Sequence, residues 1–359
     1  MRYAVIMAGG SGTRLWPLSQ HGTPKQLLEI FDGKSLLRLA YERAAQMLAP
    51  ERILICTGQA YIDEVARQLP EVPHANLLGE PTGRDSLNAA AWPAAVLHRA
   101  DPGAVVAVLT ADQIIEPIDA FLASLETAFQ VAETDPRALV TFGVVPTTPH
   151  TGYGYLERGA DVDGFTNVSE VSEFKEKPDA DTAARYLASG RYWWNAGMFV
   201  WRAATFLDAL ETLVPATYAQ LAELAADPSK LDDIYPKLFK TSVDYAILEP
   251  VSHGAVDAHV VAVGLDISWA DVGSFAALKE QFDETTDDTA ARGNAVWLDS
   301  SGNLLINTDG DHSVIAVAGL HDHVVVRTPT ATLVAPLAMS QQIKDLAGWV
   351  ADQVNPDLA

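Results

Sequence analysis

The chain opens on an apolar run of strand length, Val5–Ala8, which breaks at once into Gly9-Gly10-Ser11-Gly12-Thr13-Arg14. An unbroken apolar run of this kind reads as a strand buried on both faces. Next comes Ser35–Leu48, in which Leu36, Leu37, Leu39, Ala40, Ala44 and Met47 can form one apolar helical face. Ile53–Thr57 repeats the buried-strand pattern, and Ala60–Leu69 reads as a helix. Ala104–Thr110 and Ala138–Val145 add two further buried strands. Strands alternating with helices across short turns predict an α/β fold with a mostly parallel, helix-covered sheet. Ligands of such sheets sit at the carboxyl ends of the strands. Gly9, Thr57-Gly58 and Ala111-Asp112 all follow strand ends, so they are expected around one cleft.

From about residue 290 the pattern changes. The stretch from Gly293 to Asn307, and His323–Thr328, read as short strands cut by Gly, Asn and Asp turns. A helix is expected near Ser340–Val350. Residues 1–285 are therefore expected to form one domain and 293–359 a small β-rich one, with Asp283–Arg292 as the linker. The short strands fit a few turns of a β-helix, but their period is weak.

The 47 acidic against 24 basic residues give a net charge of −23. That balance argues against general binding to nucleic acid or to an anionic membrane, which both need a basic face. It also makes paired cations such as Lys175 and Lys177 informative. The single cysteine, Cys56, rules out an internal disulfide framework and lies in a buried-strand pattern, so a core thiol is expected. No apolar stretch reaches membrane-spanning length and the N-terminal run is short for a signal peptide, so a cytoplasmic enzyme is expected.

The opening glycine loop carries the first chemistry. Its glycines permit positive φ and let several N–H groups approach one anion. Arg14 adds a planar fork suited to phosphate oxygens and Lys25 a point charge. The loop is neither a Walker loop, since no Lys follows Gly12, nor a dinucleotide fingerprint, since Leu15 holds the third glycine position.

Gly9-Gly10-Ser11-Gly12-Thr13-Arg14-Leu15-Trp16-Pro17-Leu18-Ser19, followed by Pro24-Lys25-Gln26, resembles the signature of sugar-1-phosphate nucleotidyltransferases. Trp16 and Pro24-Lys25-Gln26 resemble its mannose-1-phosphate guanylyltransferase branch. The resemblance implies a Rossmann-like nucleotidyltransferase sheet, in which Ala8, Gly9, Gly10, Ser11, Gly12 and Thr13 wrap a triphosphate while Arg14 and Lys25 neutralise it. It further implies GTP and mannose 1-phosphate as substrates, Mg²⁺ as cofactor, and a homodimer.

Further segments extend the match. Asp112, just past a buried strand, is placed either to hold Mg²⁺ or to cap a helix or turn. The family pattern there is Pro-Ala-Asp-His, and this chain has Thr110 and Gln113 in the outer positions. Asp271 lies in Trp269-Ala-Asp-Val-Gly-Ser-Phe275, which resembles the family's Trp-x-Asp-Val-Gly-Ser-Trp and implies the second metal carboxylate, with Asp266 as the neighbouring alternative. Glu173-Phe-Lys-Glu-Lys-Pro178 resembles Phe-x-Glu-Lys-Pro, and offers Glu176 to sugar hydroxyls and Lys177 to the sugar phosphate; a surface ion-pair strand is the plainer reading. Asn195, in Asn195-Ala-Gly-Met-Phe199, offers a donor and an acceptor to the sugar. Gly154 lies in a strand that the family sets against it.

Glu80, Arg84 and Asp85 lie in a segment similar to the family's base-side Glu-Pro-x-x-Arg-Asn-Thr. A carboxylate matches the N1–H and N2–H₂ donors of guanine. Here Asp85 stands for Asn, and Ser86-Leu87-Asn88 for Thr-Ala-Pro. In Ser242–Pro250 the terminal Glu-Lys of the family becomes Glu249-Pro250, which removes a cation and leaves Asp244 and Glu249 as structural or sugar-side residues. A relative acting on another sugar phosphate or nucleotide, and a non-catalytic nucleotide-sugar-binding regulatory subunit, are the two other classes that the residues admit.

Overall fold

A computed structural model describes residues 1–10, 12–20, 22–31, 33–282 and 286–358. By contact the chain divides into two units. The first comprises Met1–Gly9, Ala40–Ala111 and Ile115–Trp269; the second comprises Gly10–Leu39, Asp112–Ile114 and Ala270–Ala359. Of the linker expected over Asp283–Arg292, residues 283–285 lie outside the described residues, and Ala290–Arg292 form a strand paired with Leu304–Ile306 rather than a connector.

The strands are β1 (Arg2–Ala8), β2 (Ile53–Gly58), β3 (Leu77–Glu80), β4 (Val105–Thr110), β5 (Gln113–Glu116), β6 (Ala138–Val144), β7 (Tyr155–Asp161), β8 (Val168–Lys175), β9 (Tyr192–Arg202), β10 (His259–Leu265) and β11 (Ser268–Asp271). Nine of them form one sheet in the order β3-β2-β1-β4-β9-β6-β10-β8-β7. The apolar runs of the first half pair in parallel: β3 with β2, β2 with β1, and β1 with β4. β6 and β10 are also parallel. The long β9 enters antiparallel between β4 and β6, and β7 and β8 close the other edge antiparallel. The sheet is thus mixed: parallel at the β3-β2-β1-β4 end, and antiparallel where β9 and β8 enter from distant parts of the chain and where β7 and β8 pair as sequence neighbours.

Helix Asp85–Ala100 is almost wholly buried from Leu87 to Leu97, and helices Ala203–Leu213 and Pro215–Ala226 pack on it. Its run of small alanines permits that approach, and Trp92, Trp201 and Phe206 fill the space beside it. Helix Ile118–Thr134 packs against β6, β9 and β10. Cys56 is fully buried in this core, and burial pushes its thiol well up.

The later strands are β12 (Ala290–Arg292), β13 (Ala295–Leu298), β14 (Leu304–Asn307), β15 (Ile315–Ala318), β16 (His323–Arg327) and β17 (Thr332–Pro336). β12, β14 and β16 stack in parallel as successive rungs, as do β13 and β15. Equivalent rung positions are Ala290, Leu304 and Val324. The spacing is 14 residues and then 20, which is why no clean period showed. Leu304, Ile306, Val324 and Val326 turn to one core, with Leu15, Trp16, Val272 and Phe275. Leu305 and Val325 turn the other way, beside Ile315, as the two-residue strand period requires. Helix Ile343–Gln353 follows β17.

Candidate functional site

The predicted residues fall into two groups, one in each unit. In the second unit, Gly10 and Gly12 adopt φ of 98° and 64°, which disfavour any side chain. A Cβ on Gly12 would stand 2.9 Å from Lys25 Cβ, so this glycine also makes room for the lysine. Ser11 lies outside the described residues. Thr13–Leu15 form one turn of 3₁₀ helix in which Leu15 is buried as an anchor while Thr13 and Arg14 are exposed. Arg14 Nη1 donates to Gln341 Oε1 at 3.1 Å. Its guanidinium also lies over Gly273, where a Cβ would come within 3.3 Å of Nη2.

Lys25 is buried, and its Nζ lies 2.8 Å from Asp112 Oδ2 and 3.8 Å from Asp271 Oδ1. It also donates to the Val272 carbonyl at 3.2 Å. Backbone pairing brings the two distant aspartates together: the Val272 N–H donates to the Asp112 carbonyl at 3.0 Å, and β5 pairs with β11. The motif Asp271-Val-Gly-Ser then reads residue by residue. Val272 is core, Gly273 clears space for Arg14, and Ser274 caps helix Phe275–Lys279 by accepting from the Ala277 N–H. Gln113 is buried at the start of β5. Asp112 sits between two strands, so the helix-cap alternative falls away. Asp266 is solvent-exposed in the first unit, whereas Asp271 reaches Lys25.

Two carboxylates beside one ammonium form a hard-oxygen donor set. Asp271 Oδ1 is buried with no hydrogen-bond partner among the described residues. Its carboxyl is held above the ordinary carboxylate range by burial, and further by the Asp112 charge, while Lys25 and Arg14 oppose the shift. An orphaned oxygen with a like-charged neighbour suits a hard divalent cation, which takes few carboxylates and completes its shell with phosphate and water. The residues present fit such an ion.

In the first unit, Ala8 ends β1 and its carbonyl accepts from Thr57 Oγ1 at 3.0 Å. Glu80 ends β3, is buried, and accepts from the Tyr235 hydroxyl at 2.6 Å. Its other oxygen, Oε2, lies 3.7 Å from where a Cβ on Gly9 would be. Arg84 and Asp85 open helix Asp85–Ala100, with Asp85 at φ 60°. The three residues that depart from the family here have definite partners. Ser86 Oγ accepts from the Val243 N–H (3.0 Å), the Leu87 N–H donates to the Thr241 carbonyl (3.2 Å), and Asn88 Nδ2 donates to the Arg84 and Phe239 carbonyls (2.8 and 2.9 Å).

The sugar-side candidates form a connected polar cluster in the same unit. Gly154 admits no side chain, since a Cβ would stand 2.6 Å from Glu176 Oε2 and 3.3 Å from Asn195 Cβ. Glu176 is buried, and its Oε1 accepts from Lys177 Nζ at 2.6 Å. Burial opposes the charge on Lys177, but Glu176 and the more distant Asp244 raise its pKa on balance. Glu249 supports this segment: it pairs with Lys175 at 2.9 Å and accepts from the Glu176 N–H at 3.3 Å. Asp179 caps helix Ala180–Ser189. Asn195 Oδ1 already accepts from Thr141 Oγ1 and the Gly197 N–H, and Nδ2 donates to Asp244 Oδ1 at 2.8 Å. One Nδ2 hydrogen is left for a ligand.

Asp244 starts a π-helical turn, Asp244–Leu248. Burial, and then the Glu176 charge, push its carboxyl up to about 7 from 3.8. The folded state then holds a proton that the unfolded chain releases between about pH 4 and 7, so stability falls as pH rises through that window. Asp244→Asn keeps the acceptor for Asn195 and removes the titration. It is expected to gain roughly 1–3 kcal/mol over the wild type at pH 8 and little at pH 4. Melting curves at both pH values check this, and an unchanged pH slope would refute it.

Tyr235, Thr141 and Gln341 escaped the sequence reading. No local motif marks any of them; each is defined by a partner at least 54 positions away.

Comparison with known proteins identifies the family. Residues 3–288 match the nucleotidyl transferase family and residues 293–348 the MannoseP isomerase/GMP-like beta-helix domain. The chain is 39% identical over 356 residues to a mannose-1-phosphate guanylyltransferase of Escherichia coli, covering 96% of this chain and 73% of that one. The Klebsiella pneumoniae enzyme of the same name gives the same identity and coverage. A crystal structure from Thermus thermophilus, described as a mannose-1-phosphate geranyltransferase, superposes with a TM-score of 0.86 at 31% identity, covering 98% of this chain and 99% of that one. The chain belongs to the nucleotidyl transferase family.

Proposed function

We propose that this chain transfers a guanylyl group from GTP to mannose 1-phosphate, giving GDP-mannose and pyrophosphate. The observation that carries the reading is the meeting of Lys25, Asp112 and Asp271, drawn from three separate segments. The guanylyltransferase relatives supply the base and the sugar.

In this reading a phosphate oxygen of the sugar 1-phosphate attacks the α-phosphorus. The new O–P bond forms as the bond to the β-phosphate bridging oxygen breaks, and pyrophosphate leaves with that electron pair. The attacking monoester is already ionised near neutral pH, so no strong base is needed. What the protein must overcome is repulsion between two anions. The loop from Ala8 to Thr13 and Arg14 hold the triphosphate, and Lys25 offsets charge where the two substrates meet. Glu176, Asn195 and Gly154 receive the sugar, with Lys177 on its phosphate. Glu80, Arg84 and Asp85 serve the base. Asp112 and Asp271 would hold Mg²⁺, which when bound supplies charge neutralisation on the phosphates. The same reading takes residues 1–285 as the catalytic domain and 293–359 as a domain through which two copies pair, in the cytoplasm.

The test is a panel of nucleoside triphosphates against sugar 1-phosphates with Mg²⁺, read as pyrophosphate release. GTP with mannose 1-phosphate is expected to lead. Activity confined to UTP or ATP would overturn the guanylyl assignment, and silence throughout would overturn the enzyme reading.

A further inference from the structure

Tyr235 is fully buried, and its ring sits edge-on to Trp92 with centroids 5.2 Å apart. That packing aims its hydroxyl at Glu80 Oε1, 2.6 Å away. Burial, foremost, pushes the phenol far up, so it stays protonated and can only donate to the carboxylate. Glu80 is itself only 6% exposed. Burial, and then Asp85, favour its neutral form, and the Tyr235 hydrogen bond is what opposes them. Oε2 accepts no hydrogen bond among the described residues and points toward Gly9, where the chain leaves β1.

We propose that Tyr235 is a positioning residue for base selection: it fixes the Glu80 carboxylate through Oε1 and leaves Oε2 as a ready acceptor for N–H groups of the nucleotide base. The inference rests on the proposed function, in which Glu80 reads guanine. A carboxylate oxygen has two acceptor directions, so Oε1 keeps one free beside the tyrosine. An ionised, rotationally fixed carboxylate can then take both N1–H and N2–H₂ of guanine. A protonated Glu80 would present a donor of its own and lose that match. Tyr235 thus acts through Glu80 and touches no reacting atom.

The variant is Tyr235→Phe, which removes one oxygen and keeps the ring. Its GTP KM is expected to rise about tenfold, while kcat and the mannose 1-phosphate KM stay near wild type. The preference for GTP over ITP, which lacks the N2 amine, should shrink. The GTP KM should also worsen on acidification at a higher pH than in the wild type, because Glu80 protonates sooner. In a Glu80→Ala background, which removes the hydroxyl's acceptor, the tyrosine substitution should have no further effect on GTP KM. A GTP KM and pH profile matching wild type would overturn the proposal, as would an effect that persists with Glu80→Ala. Should Tyr235→Phe fold poorly, 3-fluorotyrosine placed at position 235 provides a stronger donor of nearly the same shape. It should move the acid limb of the GTP KM profile to lower pH, and an unmoved limb would overturn the idea. The wild-type triphosphate panel separates the two failures: preference for a base other than guanine sinks the proposed function, whereas GTP preference with a silent Tyr235→Phe sinks only this inference.

Discussion

Asp271→Ala and Asp112→Ala are each expected to lower Mg²⁺-dependent turnover by about a thousandfold or more. Loss of a metal carboxylate forfeits several kcal/mol of charge stabilisation in phosphoryl transfer, and about 4 kcal/mol corresponds to that factor. The fold should survive. Both side chains are partly exposed, Asp112 at 27% and Asp271 at 32%, and neither lies in an apolar core cluster. Initial rates across a Mg²⁺ series, with a melting curve as control, decide the matter. A near-normal rate in either variant would mean that it holds no catalytic metal.

The second large effect concerns Lys25. Its ammonium lies against both aspartates. Lys25→Met is expected to cut turnover about 10²–10³-fold, the usual cost of removing one group that stabilises developing phosphate charge. It also leaves two carboxylates without their counterion, so the melting temperature should fall. Mg²⁺ or Mn²⁺ added without nucleotide should then raise the melting temperature more in the variant than in the wild type, because the ion no longer competes with a resident ammonium. Equal shifts in both proteins would refute that competition.

Much of this site was legible because its parts are local. A strand, a glycine turn and an arginine lie within a dozen residues, and Asp271-Val-Gly-Ser packs one job into each position. The parallel half of the sheet was legible for the same reason, since each buried strand announces itself as an apolar run. What escaped depends on pairing across long sequence distances. β9 runs antiparallel between β4 and β6, a choice its own composition cannot express. Tyr235 reaches Glu80 across 155 positions, and nothing in Asp233-Ile-Tyr-Pro marks it. The β-helix period was hidden by the unequal rung spacing. Asn195 matched its motif, yet most of its hydrogen-bonding capacity proved to be committed to Thr141, Gly197 and Asp244.

Ser86, Leu87 and Asn88 have a consequence for how this chain can change over time. Together they hold the backbone from Phe239 to Val243, next to Asp244, through a side-chain acceptor, a main-chain donor and a side-chain donor. These bonds cross about 150 positions of sequence. A substitution that removes the Ser86 hydroxyl or the Asn88 amide strands the main-chain groups at Val243 and Phe239. Substitutions within 239–243 leave the bonded main-chain atoms in place, so the constraint falls on one side, at positions 86 and 88. A chimera that imports residues 84–88 from a relative should keep these bonds only if the incoming residues still offer an acceptor at 86 and a donor at 88.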